Sequence, residues 1–284
     1  MRNVLKNLAN SITSFFNEEV VGKMSHNLVI PYRDISKTGI LSKQRKIANY
    51  KKQVFSYSNV RVIIPTLNER ENIHDIIYQL RKMGFCDIMV VDGHSNDGTA
   101  ECAQNLGAIV ILQNGHGKGV AVRDAFAESL SNSRADIIVI MDADGSMSPE
   151  ELPSFIDAIN GGADVVKGSR FLYPGGSEDL TLTRWVGNKM LTMVINFLFL
   201  TNYTDLCYGY IAFSRNALLQ LSSRLSGQAF EIETEICVKA KTLGLNVVEV
   251  PSFERLRRFG TSNLHAIRDG LTIFRLLLKE YFQG

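Results

Sequence analysis

Between residues 60 and 142 the chain alternates short runs that are apolar throughout with longer segments of helical period. VRVIIP (60–65), DIMVVD (87–92), AIVIL (108–112) and ADIIVIMD (135–142) carry the strand pattern. ENIHDIIYQLRKM (71–83), DGTAECAQNLG (97–107) and KGVAVRDAFAESL (118–130) lie between them and carry the helix pattern. Strands that never alternate with polar residues are buried on both faces, and crossovers of about ten or more residues join parallel neighbours. The pattern therefore specifies an α/β fold with a mostly parallel sheet flanked by helices. No internal repeat or low-complexity tract interrupts it.

In such a sheet a ligand sits beyond the carboxyl ends of the strands. The first strand runs into PTLNE, with Asn68 and Glu69, and the second into Asp92 and GHSNDG. The third runs into QNGHGKG, and the fourth into Asp142 and Asp144 with one alanine between them. Carboxylates converging on one edge repel one another unless a cation sits among them. Hard carboxylate oxygens suit magnesium or manganese, with substrate phosphates completing the coordination. A strand-end Asp is commonly a helix N-cap, but Ser148, ahead of Pro149 and Glu150, fills that role and leaves Asp142 and Asp144 unexplained. A nicotinamide dinucleotide enzyme is excluded by the glycines, because PTLNERE after the first strand contains no Gly-x-Gly-x-x-Gly. A nucleotidyltransferase is expected to place a Gly-rich basic loop there, which is also absent. GHGKG (115–119) is not a Walker loop and by itself signals a tight turn.

The chain has 284 residues, 45% of them hydrophobic, which is enough for a sizeable core. Its net charge of +2 hides an asymmetry. Residues 1–60 hold ten Lys/Arg against three Asp/Glu, and residues 61–284 hold twenty-one against twenty-six. The polar stretch ending near residue 58 separates a helical or extended basic arm, 1–58, from a body, 59–284. In the arm Leu5, Leu8, Ile12 and Phe15 or Phe16 share one helical face, which suits peripheral membrane contact with anionic lipid. The alternatives are a solvated extension, packing on the body, or bridging the subunits of a homo-oligomer. No nucleic-acid partner is expected. Cys86, Cys102, Cys207 and Cys237 show no C-x-x-C spacing and suit reduced residues of a cytosolic protein. No run reaches the roughly 18 apolar residues of a spanning helix. The nearest is MLTMVINFLFL (190–200), which either packs in the core or lies on a bilayer. The expected location is cytoplasmic, peripheral on the inner face of the membrane. The closing Tyr281-Phe282-Gln283-Gly284 resembles a fragment of an engineered protease site and carries no functional weight.

VIIPTLNERENI, VVDGHSNDGT, GHGKGVAVRDAF, MDADGSMSPEEL and GSRF stand in the order and spacing of family 2 glycosyltransferases. The chain resembles most closely their dolichyl- or polyprenyl-phosphate mannose and glucose synthases. That resemblance implies a GT-A fold, with a Rossmann-like sheet, a nucleotide-binding half over 59–145 and an acceptor-side half over 146–284. It implies that Asp142 and Asp144 bind the metal holding the diphosphate of a nucleotide-diphosphate sugar, with Asp142 also close to the sugar. Pro65, Leu67, Glu69 and Asp92 match positions that cradle base and ribose, and Lys118 and Arg257 match positions beside the nucleotide. Arg170 and Arg184 match the two arginines that meet the phosphate of a polyprenyl phosphate acceptor, and guanidinium forks suit phosphate.

The implied reaction is inversion at the anomeric carbon. An ionised phosphate needs no base, whereas a hydroxyl acceptor needs a carboxylate to take its proton. Asp205, which matches a position facing the acceptor, is one candidate, and Glu231, Glu233 and Glu235 are the others. Asp142, Asp205 and Glu233 are accordingly the expected catalytic residues. Three departures leave a soluble hydroxyl acceptor as an alternative, beside a sugar-nucleotide-binding module without turnover, one of them the lack of the membrane-spanning helices that many members add at the C-terminus. Gly145 and Ser146 stand where the branch carries Leu-Gln, and Asn263 stands where it carries Lys.

Overall fold

The computed structural model describes residues 57–260 and 265–283. The basic arm, up to residue 56, and Asn263 lie outside the described residues. Four strands and three helices follow in the expected order: β1 (Val60–Thr66), α1 (Arg70–Met83), β2 (Asp87–Asp92), α2 (Thr99–Asn105), β3 (Ile109–Leu112), α3 (Lys118–Asn132) and β4 (Ile137–Ile140). A single 3-10 turn (Pro149–Glu151) leads into α4 (Leu152–Asn160), β5 (Val165–Ser169), β6 (Gly176–Ser177), α5 (Leu182–Phe199) and β7 (Ile211–Ser214). The described chain closes with α6 (Arg215–Ser222), α7 (Ile232–Thr242), β8 (Val247–Pro251), β9 (Phe253–Glu254) and α8 (Ala266–Gln283).

Seven strands form one sheet in the order β3-β2-β1-β4-β7-β5-β8. All its pairings are parallel except those of β7, which runs antiparallel to β4 on one side and β5 on the other. The apolar runs are explained by two cores. Val60, Val62 and Ile64 of β1 meet Ile73, Ile77 and Leu80 of α1 on one face. Ile63 meets the other face, with Val122, Ala125 and Phe126 of α3. Each such side chain stabilises the fold by about 1.5–3 kcal/mol when fully buried, so both faces of the sheet contribute. The exception is β3. It lies on the sheet edge, and Ile109 and Leu112 are 44% and 61% exposed.

The glycine-rich turn before α3 serves backbone packing. A Cβ on Gly119 would lie 2.5 Å from the Gly227 carbonyl oxygen, so only glycine admits the segment 227–229. The Gly119 and Val120 N–H groups both donate to the Gln228 carbonyl, at 3.0 and 3.3 Å. These N–H groups at the helix start are thereby spent within the protein rather than offered to a phosphate. Ser148 does hold the cap position before the 3-10 turn, but its buried hydroxyl makes no capping hydrogen bond. The apolar 190–200 segment is the second half of α5. Leu191, Val194 and Ile195 are buried, while Phe197 is 42% exposed and Leu200, just past the helix, 81%. Among the described residues no helix is long and apolar enough to cross a membrane.

Candidate active site

A cavity of about 390 Å³ opens at the carboxyl ends of β1 and β4. Asp142 and Asp144 follow β4, Pro65 and Thr66 end β1, Leu67 and Glu69 follow it, Lys118 begins α3 and Glu233 lies in the first turn of α7; all line the cavity. Their charges form two linked clamps. Lys118 Nζ lies 2.6 Å from Asp142 Oδ1 and 2.7 Å from Glu233 Oε1. Burial pulls the Lys118 ammonium toward the neutral form, but Asp142 and Glu233 outweigh it and hold its pKa above the ordinary lysine value. Arg257 forms the second clamp, with Nη1 2.7 Å from Glu69 Oε1 and Nη2 2.9 Å from Asp144 Oδ2. Burial pushes the Glu69 carboxyl above its usual range, against hydrogen bonds from Asn72 and Arg257.

Two contributors to these clamps were missed from the sequence. Gly209, just before β7, has no room for a side chain, because a Cβ there would meet Lys118 Nζ at 2.8 Å and Glu233 Oε1 at 3.0 Å. Asn72, buried in α1, donates to Glu69 Oε2 at 2.6 Å and to the Phe259 carbonyl at 3.3 Å. It thereby ties the loop that carries Arg257 to the start of α1. The spacing of three residues from Glu69 was its one visible sign.

The side of the cavity nearest β5 and α5, where the sequence places the acceptor, is built on a buried ion network. Arg170, just after β5, donates from Nε and Nη2 to the two oxygens of Asp205 at 2.7 and 3.0 Å, and from Nη1 to Glu254 at 3.0 and 3.2 Å. Its guanidinium lies 4.7 Å from the Tyr208 ring centroid. Asn188 of α5 adds a 2.7 Å hydrogen bond to Asp205. Arg184, also on α5, lines the cavity with Nη1 3.0 Å from Asp179 Oδ2.

Several expectations change in this geometry. Asp205 is fully buried, does not line the cavity and spends its oxygens on Arg170 and Asn188, so it holds a wall in place and is not positioned as a base. Arg170 reaches the cavity, but two carboxylates already neutralise it and only 7% of it is exposed; it shapes the acceptor side rather than offering an open fork. Glu231 accepts from the Gln228 and Ala229 N–H groups, and buried Glu235 from Ser226 and Gly227. Both fix the turn before α7. Of the four candidate bases, Glu233 alone lines the cavity. Asp92 sits at the end of β2 with 1% exposure; its Oδ2 accepts from the Ser95 N–H at 3.0 Å, while its buried Oδ1 has no hydrogen-bond partner. Its neighbours Thr66, Gly93 and Gln113 line the cavity.

The residues fit a divalent cation in one respect that can be counted. In the two clamps Glu69, Asp142, Asp144 and Glu233 supply four carboxylates against the two cations Lys118 and Arg257, a surplus of two negative charges. Among the described residues no three His, Cys, Asp or Glu side chains are grouped to hold a metal by themselves. Asp142 and Asp144 form a pair of the kind that binds magnesium together with substrate phosphates and water.

Comparison with known proteins bears on the family. The model of the family described as glycosyl transferase family 2 matches residues 61–221. Glycosyltransferase AglJ of Haloferax volcanii is 36% identical over 224 residues, covering 78% of this chain and 71% of the relative. The polyprenol monophosphomannose synthase of Mycolicibacterium smegmatis is 32% identical over 212 residues, covering 72% and 80%. Among solved structures, glucosyl-3-phosphoglycerate synthase from Mycobacterium tuberculosis, in complex with Mn²⁺, uridine diphosphate and glucosyl-3-phosphoglycerate, superposes with a TM-score of 0.62 at 20% identity. That alignment covers 78% of this chain and 80% of the other, and the shared fold is the GT-A fold expected from the motifs.

Asp205 makes the stability of the fold depend on acid. Burial raises its pKa, but Arg170 dominates and holds the carboxyl down to about 2 from an ordinary 3.8. A depressed folded pKa gives stability that is fully present above the unfolded value and is lost as pH falls through the folded one. Between pH 4 and pH 2 the native chain should therefore lose roughly 2 kcal/mol more stability than Asp205→Asn. Denaturant unfolding at stepped pH measures this, and parallel pH profiles would contradict it.

Proposed function

The chain belongs to glycosyl transferase family 2, and we propose that it moves a hexose, with inversion, from a UDP-glucose or GDP-mannose type of donor to a polyprenyl phosphate. The observation that carries the acceptor class is the condition of the carboxylates around the cavity. A hydroxyl nucleophile needs a base within hydrogen-bond reach. Glu233, the one candidate that lines the cavity, is clamped 2.7 Å from Lys118. A phosphate oxygen arrives already ionised and needs no base. The relative named as a polyprenol monophosphomannose synthase supports the same reading.

In the displacement an oxygen of the acceptor phosphate attacks the anomeric carbon from the face opposite the nucleoside diphosphate. The new C–O bond forms as the bond to the diphosphate breaks, and the electron pair leaves with the diphosphate. Asp142 and Asp144 would hold magnesium or manganese, which when bound offsets the charge growing on that leaving group. Arg257, already at Asp144, faces the same diphosphate. Asp92, buried at the end of β2, supports the wall formed by Thr66, Gly93 and Gln113, where base and ribose rest. Pro65 and Leu67 cover base and ribose, and Glu69 fixes Arg257. Lys118 holds Asp142 and Glu233 in place beside the sugar. Arg184 meets the acceptor phosphate, and Arg170 holds the wall on which it does so. Because a polyprenyl phosphate resides in a bilayer, the reaction runs at a membrane surface, on the cytoplasmic side.

Asp144→Ala should lower transfer by about a hundredfold or more, and excess chelator should do the same to the native chain. Full activity in chelator would sink the metal assignment. Arg184→Ala should cost about ten- to a hundredfold in kcat/KM for the lipid phosphate, while slow hydrolysis of the donor by water stays near its native rate. Equal loss of both reactions would move Arg184 to the donor side.

A further inference from the structure

An α-helix that packs against a protein on one side needs one apolar side. Helix α8 has two. Its inner side carries Ile273, Leu277 and Glu280, all buried, and packs against α5 and α7, with Glu280 paired to Lys239 of α7 at 2.5 Å. A second apolar stripe, at the helical spacing of four, three and four, runs through Ile267, Leu271, Phe274 and Leu278. Ile267 is 76% exposed and Leu271 52%, and Phe274 and Leu278 are half-buried. Beside this stripe stand Arg268, Arg275 and Lys279, all exposed. The helix's two acids avoid this side: Glu280 is buried, and Asp269 lines the catalytic cavity and accepts from the His265 N–H.

We propose that this outer side of α8 seats the chain on an anionic lipid surface, its apolar stripe in the acyl boundary and its basic flank among the headgroups. Charge selects this occupant over the others. A second copy paired antiparallel through the stripe about a two-fold axis would set Arg268, Arg275 and Lys279 on the same side as their own counterparts. The arm of this chain, ten Lys/Arg against three Asp/Glu over residues 1–60, carries the same sign of charge as the flank and does not complement it. An anionic bilayer complements both features of the helix.

The position of the stripe gives it a purpose. A groove beside it is lined by Thr183, Ala266, Ile267, Arg268, Leu271 and Arg275. Thr183 and Ala266 also line the catalytic cavity, so groove and cavity are continuous at these residues. Gly187 and Gly270 line the cavity next to them, and a Cβ at either would meet nothing within 4 Å, so this end of the cavity is open. A lipid whose tail stays in the bilayer can therefore place its phosphate in the cavity, a use of the groove that rests on the acceptor reading above. The seating itself stands on the surface alone.

The test is pelleting of the full chain, without donor, with vesicles of phosphatidylglycerol and phosphatidylcholine against phosphatidylcholine alone. The anionic vesicles should carry the native chain down. Ile267→Gln with Leu271→Gln, and separately Arg268→Gln with Arg275→Gln, should each weaken that partition by about tenfold or more. Thermal unfolding of both variants should match the native chain, since none of the four side chains is buried. Absence of binding, or binding unchanged in both variants, would overturn the proposal. So would a dimer in solution that the apolar pair of substitutions dissolves while vesicles bind nothing. Because no donor is present, failure here says nothing about transfer, and failure of transfer to a lipid phosphate says nothing about seating.

Discussion

The ammonium of Lys118, held between Asp142 and Glu233, is one of two clamps, with that of Arg257 on Glu69 and Asp144, that tie distant segments of the chain together at the cavity. Asp142 comes from the turn after β4, Lys118 from the start of α3 and Glu233 from the first turn of α7. None of these ion pairs would survive if the elements were displaced by an ångström or two. The backbone supplies the tolerance: glycines at 117 and 119 let α3 approach the 227–229 segment, and Gly209 leaves the pair room to close. A lysine buried without partners would shed its proton, and two carboxylates of this kind left unpaired would repel each other. Joined, they make a charged floor that is fixed before any ligand arrives, as electrostatic preorganisation requires.

On the acceptor side the same physics is used to opposite effect. Arg170 and Asp205 are both buried, and an ion pair in that setting offsets its desolvation cost only when every remaining donor and acceptor is satisfied. Glu254 from β9, Asn188 from α5 and the Arg170 N–H, which also donates to Asp205, complete it. The network links β5, α5 and β9, the three elements that frame this end of the cavity. Its charges are consumed internally. What it delivers to the site is position, above all the placement of α5, which carries Arg184.

The first half of the fold was legible because its information is local. Strands β1 and β2 and helices α1 and α3 fall within two residues of their periodicity-based bounds, and the converging strand ends pointed to the cavity before any geometry was known. The antiparallel insertion of β7 between β4 and β5 has no local signature, since a short apolar run reads alike in either direction. Four acids were equivalent candidates in the sequence; only the path of the chain shows that Glu231 and Glu235 fix a turn, Asp205 lies beneath Arg170, and Glu233 faces the cavity. Helical period likewise shows that α8 has apolar positions, but which of its sides the protein covers is decided by α5 and α7, far away in sequence.

The claim that most of this depends on is that the nucleophile comes already ionised. The most direct measurement is sugar transfer from the preferred donor to a polyprenyl phosphate and, in parallel, to the polyprenol of the same chain length. With Glu233 clamped by Lys118 and the other three candidate bases, Asp205, Glu231 and Glu235, not lining the cavity, the phosphate should be glycosylated and the alcohol should not. Comparable transfer to the alcohol would contradict that reading of the site.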